Sequence, residues 1–167
     1  LVQERVEADP SRGLDHGAWA VLRHFYPQAD VPVVQLSLDI TKPASWHWAV
    51  AEKLRPLRDE GVLIMGSGNI IHNLRLMDRW HMDRSVAYDW AMDFRARINR
   101  AILANDRDIL VNFTELGEAA RLAVPVPAEH FLPSLYVLAQ REDDEPVDIF
   151  NDEIIAGSLS MTSVKVG

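Results

Sequence analysis

The chain has 167 residues, 48% of them hydrophobic and 25% charged, the make-up of a soluble protein able to bury one sizeable core. Its net charge of -8 comes from interspersed acidic and basic residues, which argues against a phosphate-tracking face and so against a nucleic-acid partner. The absence of cysteine excludes disulfides, zinc–thiolate sites and thiol nucleophiles, leaving histidine and carboxylate as metal ligands.

No apolar run approaches the roughly 20 residues of a membrane span. Leu1 to Pro10 is charged where a signal peptide would be apolar, so a cytoplasmic protein without membrane association is expected. The chain opens without methionine, in the acidic, helix-like stretch Val2 to Ala8, as a fragment or a processed product would. A single domain over residues 1–167 is the expected organisation.

In chain order, Ala18 to Phe25 reads as a helix with Asp15 as its cap, and Val31 to Leu38 as a buried strand rich in β-branched residues. A helix from Pro43 to Glu60 follows, with an apolar stripe at Trp46, Val50, Leu54 and Leu57, a kink or early end at Pro56, and Gly61 as its stop. Val62 to Met65 is a second short apolar run, closed by the turn signal Gly66-Ser67-Gly68. Strand, helix and strand with short connections form a βαβ unit, which predicts an α/β fold with parallel strands.

Further on, Asn69 to Leu74 reads as a helix start, Tyr88 to Ala104 as an amphipathic helix, and Asp106 to Phe113 and Thr114 to Ala123 as shorter ones. Val124-Pro125-Val126-Pro127 breaks the pattern. Helical spacing resumes over Glu129 to Gln140, Arg141 to Pro146 is linker-like, and Val147 to Phe150 and Ser158 to Val166 read as strands.

The chemistry turns on which of six histidines lies where an α/β fold places its sites, at the carboxyl ends of strands. His72 follows the run Val62 to Met65 through a glycine turn that would bring the backbone close to a ligand; it reads equally as a core histidine with one nitrogen satisfied. His130, beside Glu129, opens a helix after a proline-rich turn, where both residues also suit a helix N-terminus as plain polar groups. His16, in Asp15-His16-Gly17, sits in a turn-rich loop where an exposed, idle histidine is an ordinary occurrence. His24, His47 and His81 read as surface or packing residues, and Trp46, Trp48, Trp80 and Trp90 as core. Ser67 between two glycines does not complete a nucleophile elbow, because that pattern fails at Asn69.

Several ordered stretches resemble one family. They are Leu14-Asp15-His16-Gly17, Tyr26-Pro27-Gln28-Ala29-Asp30, Val33-Val34-Gln35-Leu36-Ser37, Gly66-Ser67-Gly68-Asn69-Ile70-Ile71-His72-Asn73, Glu129-His130-Phe131-Leu132-Pro133 and Gly157-Ser158-Leu159-Ser160-Met161. Together, from about Gly13 to Gly167, they are similar to the 4,5-DOPA dioxygenase-type proteins of the class III extradiol group.

The resemblance implies a three-layer α/β/α fold with a mainly parallel or mixed central sheet. It also implies a mononuclear metal bound largely by histidine, Fe(II) for turnover and Zn(II) in the isolated protein. His130 then carries over as a metal ligand, and His72 as a second histidine at the metal that either coordinates it or moves protons. His16 carries over as a catalytic residue on the substrate side or just behind it, and Asp15, Ser67 and Asn69 as residues that bind the substrate or support those that do. The implied reaction opens a catechol-type, DOPA-like ring with O2.

The family's remaining metal histidines belong to an N-terminal segment that this chain is expected to lack. Association with that segment, or formation of a homo-oligomer, is therefore expected. A non-catalytic binding or regulatory protein on the same scaffold and a zinc-dependent hydrolase are the alternative functions.

Overall fold

The computed structural model describes residues 6–82 and 84–167, so the helix-like reading of Val2 to Ala8 falls largely outside the described residues. The chain divides into two units, Leu1–Leu38 and Asp39–Gly167.

In the first unit, α1 (His16–Phe25) begins where the sequence predicts, because the Asp15 carboxylate accepts the otherwise unpaired N–H of Ala18 at 2.9 Å. Arg23 and His24 lie in its last turn, against the negative end of the helix dipole. The Asp15 N–H donates to Gln35 Oε1 at 3.0 Å, and Gln35 Nε2 donates back to the Asp15 carboxylate. Val31 to Leu38, read as a strand, forms no ladder among the described residues, and Val34 is 94% exposed. A strand exists only as a member of a hydrogen-bonded pair, so β-branched composition alone does not make one.

In the second unit, the predicted Pro43 to Glu60 helix is split. α2 (Ala44–Glu52) carries the regular helix, and a 3₁₀ turn over Arg55–Arg58 replaces its second half because Pro56 has no N–H to donate. Val62 to Met65 is likewise not a strand among the described residues, so the predicted parallel pair does not form there. Next come α3 (Asp89–Ala104), α4 (Arg107–Val111), a 3₁₀ turn (Phe113–Leu116), α5 (Glu118–Ala123) and α6 (Leu132–Leu138). The predicted helix over Thr114 to Ala123 is broken at Gly117, whose φ of 86° is left-handed.

The strands are β1 (Val147–Phe150), β2 (Ile154–Ile155), β3 (Leu159–Ser160) and β4 (Ser163–Val166). β1 pairs antiparallel with β4, and β2 antiparallel with β3. The predicted continuous strand over Ser158 to Val166 is interrupted at Met161 and Thr162, where the Met161 N–H turns to the Glu153 carbonyl at 2.8 Å. Helices combined with these short sheets make the chain α/β in the broad sense.

The core of this unit is built on α3, which buries Ala91, Phe94, Ile98, Ala101 and Ile102 at the three- and four-residue spacing of one helix face. α5 packs on α3, and α2 packs on α6. Phe131 lies 4.3 Å from Phe113 and 6.4 Å from Phe94, ring centre to ring centre, and this aromatic cluster fills the space beside α3. Trp48 is buried as predicted. Trp80 is a correction: it is 91% exposed, on a turn pinned by Asp78, whose carboxylate accepts the Trp80 N–H at 3.0 Å and bonds His81 Nδ1 at 2.7 Å.

His47, read as a packing residue, is fully buried between α2 and α6. Its Nε2 lies 3.1 Å from the Asp39 carbonyl and its Nδ1 2.9 Å from the Tyr136 hydroxyl. A carbonyl only accepts, so Nε2 carries the proton and Nδ1 accepts from Tyr136. Burial holds the imidazole's pKa below its usual 6.5, which keeps it neutral in the fold while the unfolded chain protonates near that value. The unfolded state then binds more protons, so stability is full above about pH 6.5 and declines as the pH falls below it. Urea unfolding from pH 7.5 to 5 measures this, and a pH-independent midpoint would contradict it. Tyr136→Phe strands Nδ1 in the core and is expected to cost about 1–3 kcal/mol at pH 7.5.

Candidate metal and proton-transfer site

His72 does not start a helix, as the sequence predicts, because its segment is bonded to distant parts of the chain instead of to residues four positions away. The His72 N–H donates to the Ala123 carbonyl at 2.9 Å, Asn73 N–H to Ser158 at 3.1 Å, and Ser160 N–H to the Ile71 carbonyl at 3.0 Å. His72 also forms an antiparallel bridge with Leu159. The Asn73 side chain donates to the Leu122 carbonyl at 2.7 Å, and Ser158 Oγ to the Asn73 carbonyl at 2.8 Å. Ile70 and Ile71 are buried beneath this segment, so the backbone that carries His72 is held from both sides.

His130 precedes α6 in a turn in which the N–H groups of Phe131 and Leu132 both donate to the Ala128 carbonyl, at 2.9 and 3.0 Å. Its position is set by its neighbour: Phe131 is 1% exposed and locked in the aromatic cluster, leaving the half-buried His130 on the outer side of the turn.

The two histidines, 58 positions apart in the sequence, meet face to face: their ring centres are 3.5 Å apart and their planes inclined by 15°. Burial pushes the His72 pKa down, the neighbouring His130 pushes it further the same way, and Glu129 partly opposes both. His72 is therefore a neutral imidazole at pH 7, the form that binds a metal or accepts a proton.

The donor chemistry of the pair suits a divalent transition metal. The stacked geometry suits ligation through one ring and not through both, because lone pairs lie in the ring planes. Planes this nearly parallel do not meet within the roughly 2 Å of a metal–imidazole bond. Among the described residues no group of three or more His, Cys, Asp or Glu side chains is arranged to hold an ion.

The other predicted site residues take defined places. Ser67 and Asn69 lie in the same segment as His72, but the Asn69 amide is engaged as a donor to the Ser160 carbonyl at 2.6 Å. His16 and Asp15 belong to the first unit, where Asp15 caps α1 and His16 is exposed at that helix's first turn. The expectation that the glycine turn would hold the backbone close to a ligand meets a different neighbour: Gly66 and Gly68 lie against the turn that carries His130. Sequence reasoning did not find that contact, nor the stacking, since neither has a local signature.

This imidazole pair, on a chain of helices and short sheets, has the donor chemistry of a candidate metal or proton-transfer site. Residues 1–146 match the family model described as the catalytic LigB subunit of aromatic ring-opening dioxygenase, and the chain belongs to that family. It is 46% identical over 162 residues to a 4,5-DOPA dioxygenase extradiol of Escherichia coli K12, covering 93% of this chain and 57% of the relative. It is 40% identical over 158 residues to the protein of that name from Portulaca grandiflora, covering 94% of this chain and 57% of the relative. The crystal structure of an uncharacterized protein from Escherichia coli K12 superposes with a TM-score of 0.84 at 44% identity, over 94% of this chain and 64% of the other. The chain thus spans a little over half the length of the curated relatives it matches.

Proposed function

We infer that the protein works as an extradiol ring-opening dioxygenase on a catechol-type, DOPA-like aromatic, with a mononuclear non-haem metal and O2. The observation that carries this is the stacked pair His72 and His130, because both partners fall in the stretches that resemble this family. In this reading residues 1–167 form part of one three-layer α/β/α catalytic domain with a mainly parallel or mixed central sheet, working in the cytoplasm. The rest of the metal's ligands lie outside the described residues, supplied by a further segment or by an association between chains.

A bound divalent metal, ferrous iron for turnover or zinc in its place, would supply Lewis acidity and a site for the catechol and O2. The chain's own part is proton movement and placement. His130 would hold the metal through one ring nitrogen. His72, neutral because burial and His130 depress its pKa, accepts a proton from a catechol hydroxyl and returns it later in the cycle. The carbon–carbon bond beside the diol breaks, both atoms of O2 enter the product, and a semialdehyde bearing a carboxylate results. By its place in the motif that resembles the family, His16 would donate to the substrate's polar groups. Asp15 holds α1 and thereby His16 in place, while Ser67 and Asn69 shape the turn that leads to His72.

Elemental analysis of the purified protein is expected to find about one iron or zinc per chain, and oxygen uptake with DOPA to match the appearance of a semialdehyde chromophore. Bound zinc with ester or amide turnover and no oxygen uptake would replace this reading with a hydrolase. Absence of both metal and turnover would leave a binding or regulatory protein.

A further inference from the structure

The turn that carries His130 lies against two positions without side chains, Gly66 and Gly68. A Cβ added to Gly68 would fall onto the carbonyl of His130, far inside van der Waals contact with its oxygen. A Cβ added to Gly66 would lie 2.5 Å from the Pro133 carbonyl oxygen and 3.2 Å from Val137 Cγ2. Neither glycine has a positive φ among those of this chain, so the requirement is for space and not for an unusual backbone conformation. On one side, then, the stretch from Gly66 to Gly68 lies directly on the turn that opens α6. Just beyond it, the Asn69 side chain ties the same stretch to Ser160, and the His72 N–H ties it to Ala123.

We propose that Gly66 and Gly68 are positioning residues for the histidine pair. The direct backbone contact with the His130–Pro133 turn sets the distance between the two chain segments, and that distance decides whether the imidazoles of His72 and His130 meet face to face. Three residues separate Gly68 from His72, and that short span is tethered at Asn69 and at His72, so a displacement at Gly68 has little slack to absorb it. A methyl group at position 68 must push the His130 carbonyl away, and a carbonyl in a turn cannot rotate aside as a flexible side chain can. The proposal rests on the reading of this pair as the metal site, but part of its test does not.

The test uses the whole protein as Gly68→Ala and Gly66→Ala variants, with Gly13→Ala, where an added Cβ meets nothing within 4 Å, as the control. Two quantities are read: the imidazole proton shifts of His72 and His130 in metal-free protein, which report ring stacking, and the dissociation constant for added Zn(II). Gly68→Ala is expected to lose the mutual ring-current shifts and to bind Zn(II) about tenfold more weakly, as when a group that orients a ligand is removed. Gly13→Ala is expected to match the parent in both.

To guard against outright unfolding of Gly68→Ala, the double variant Gly66→Ala/Val137→Ala, which removes the one side chain that an added Cβ at position 66 would crowd and leaves the contact with the Pro133 backbone, is measured in parallel. Parent-like ring shifts and zinc affinity in a folded variant at 66 or 68 would overturn the proposal. Unfolding of both variants would also overturn it, since the contact would then serve the core and not the pair. If the parent protein binds no zinc, it is the metal reading that fails, and the ring shifts alone still decide whether these glycines position the histidines.

Discussion

His72→Ala is expected to reduce catechol-dependent oxygen uptake by about 10²–10⁴-fold, the range lost with a positioned general base. The fold should tolerate the change. What holds this segment is the His72 N–H bonded to Ala123, the flanking bonds of Ile71 and Asn73, and the buried Ile70 and Ile71, all of which survive truncation at Cβ. Metal content separates two roles: a variant that keeps its metal and loses turnover identifies His72 as the proton carrier, and one that loses both identifies it as a ligand. Turnover at the parent rate would remove His72 from the mechanism. His72→Gln adds a finer distinction, since glutamine preserves polarity and much of the volume but accepts no proton near neutral pH.

Phe131→Ala is the change expected to cost most in stability, about 3–5 kcal/mol, because it empties the space of a fully buried ring and leaves a cavity between Phe94 and Phe113. For a chain of this size that lowers the thermal midpoint by about 10 °C. The effect should reach the site as well. His130 is the preceding residue and shares the turn closed on the Ala128 carbonyl, so loss of the anchor lets its ring drift from His72. Zinc affinity is therefore expected to fall together with the midpoint. Phe131→Leu, which retains more of the volume, should recover part of both losses. A cost below about 1 kcal/mol would show that the cluster collapses around the gap and that Phe131 does not anchor His130.

Local chemistry made several features of this chain legible before any coordinates. The cap at Asp15, the amphipathic stripe of α3, the interruption at Pro56 and the strand at Val147 to Phe150 all depend on residues within a turn or two of one another, and each appears where the pattern puts it. The ordered motifs around His16, His72 and His130 likewise pointed to the family to which the chain belongs. What could not be read was anything that depends on a distant partner. Val62 to Met65 has the composition of a strand, but a strand needs a neighbour to take its hydrogen bonds, and none is present among the described residues. Asn69 to Leu74 has no such signature, yet its bonds to Ala123, Ser158 and Ser160 make it the rigid support of His72. The stacking of His72 on His130, and the bare glycine backbone pressed on the turn that carries His130, join segments about 60 residues apart, and only the tertiary packing decides whether such segments touch. Sequence alone therefore determined which side chains are available for chemistry; the close approach of two backbones determined which of them meet.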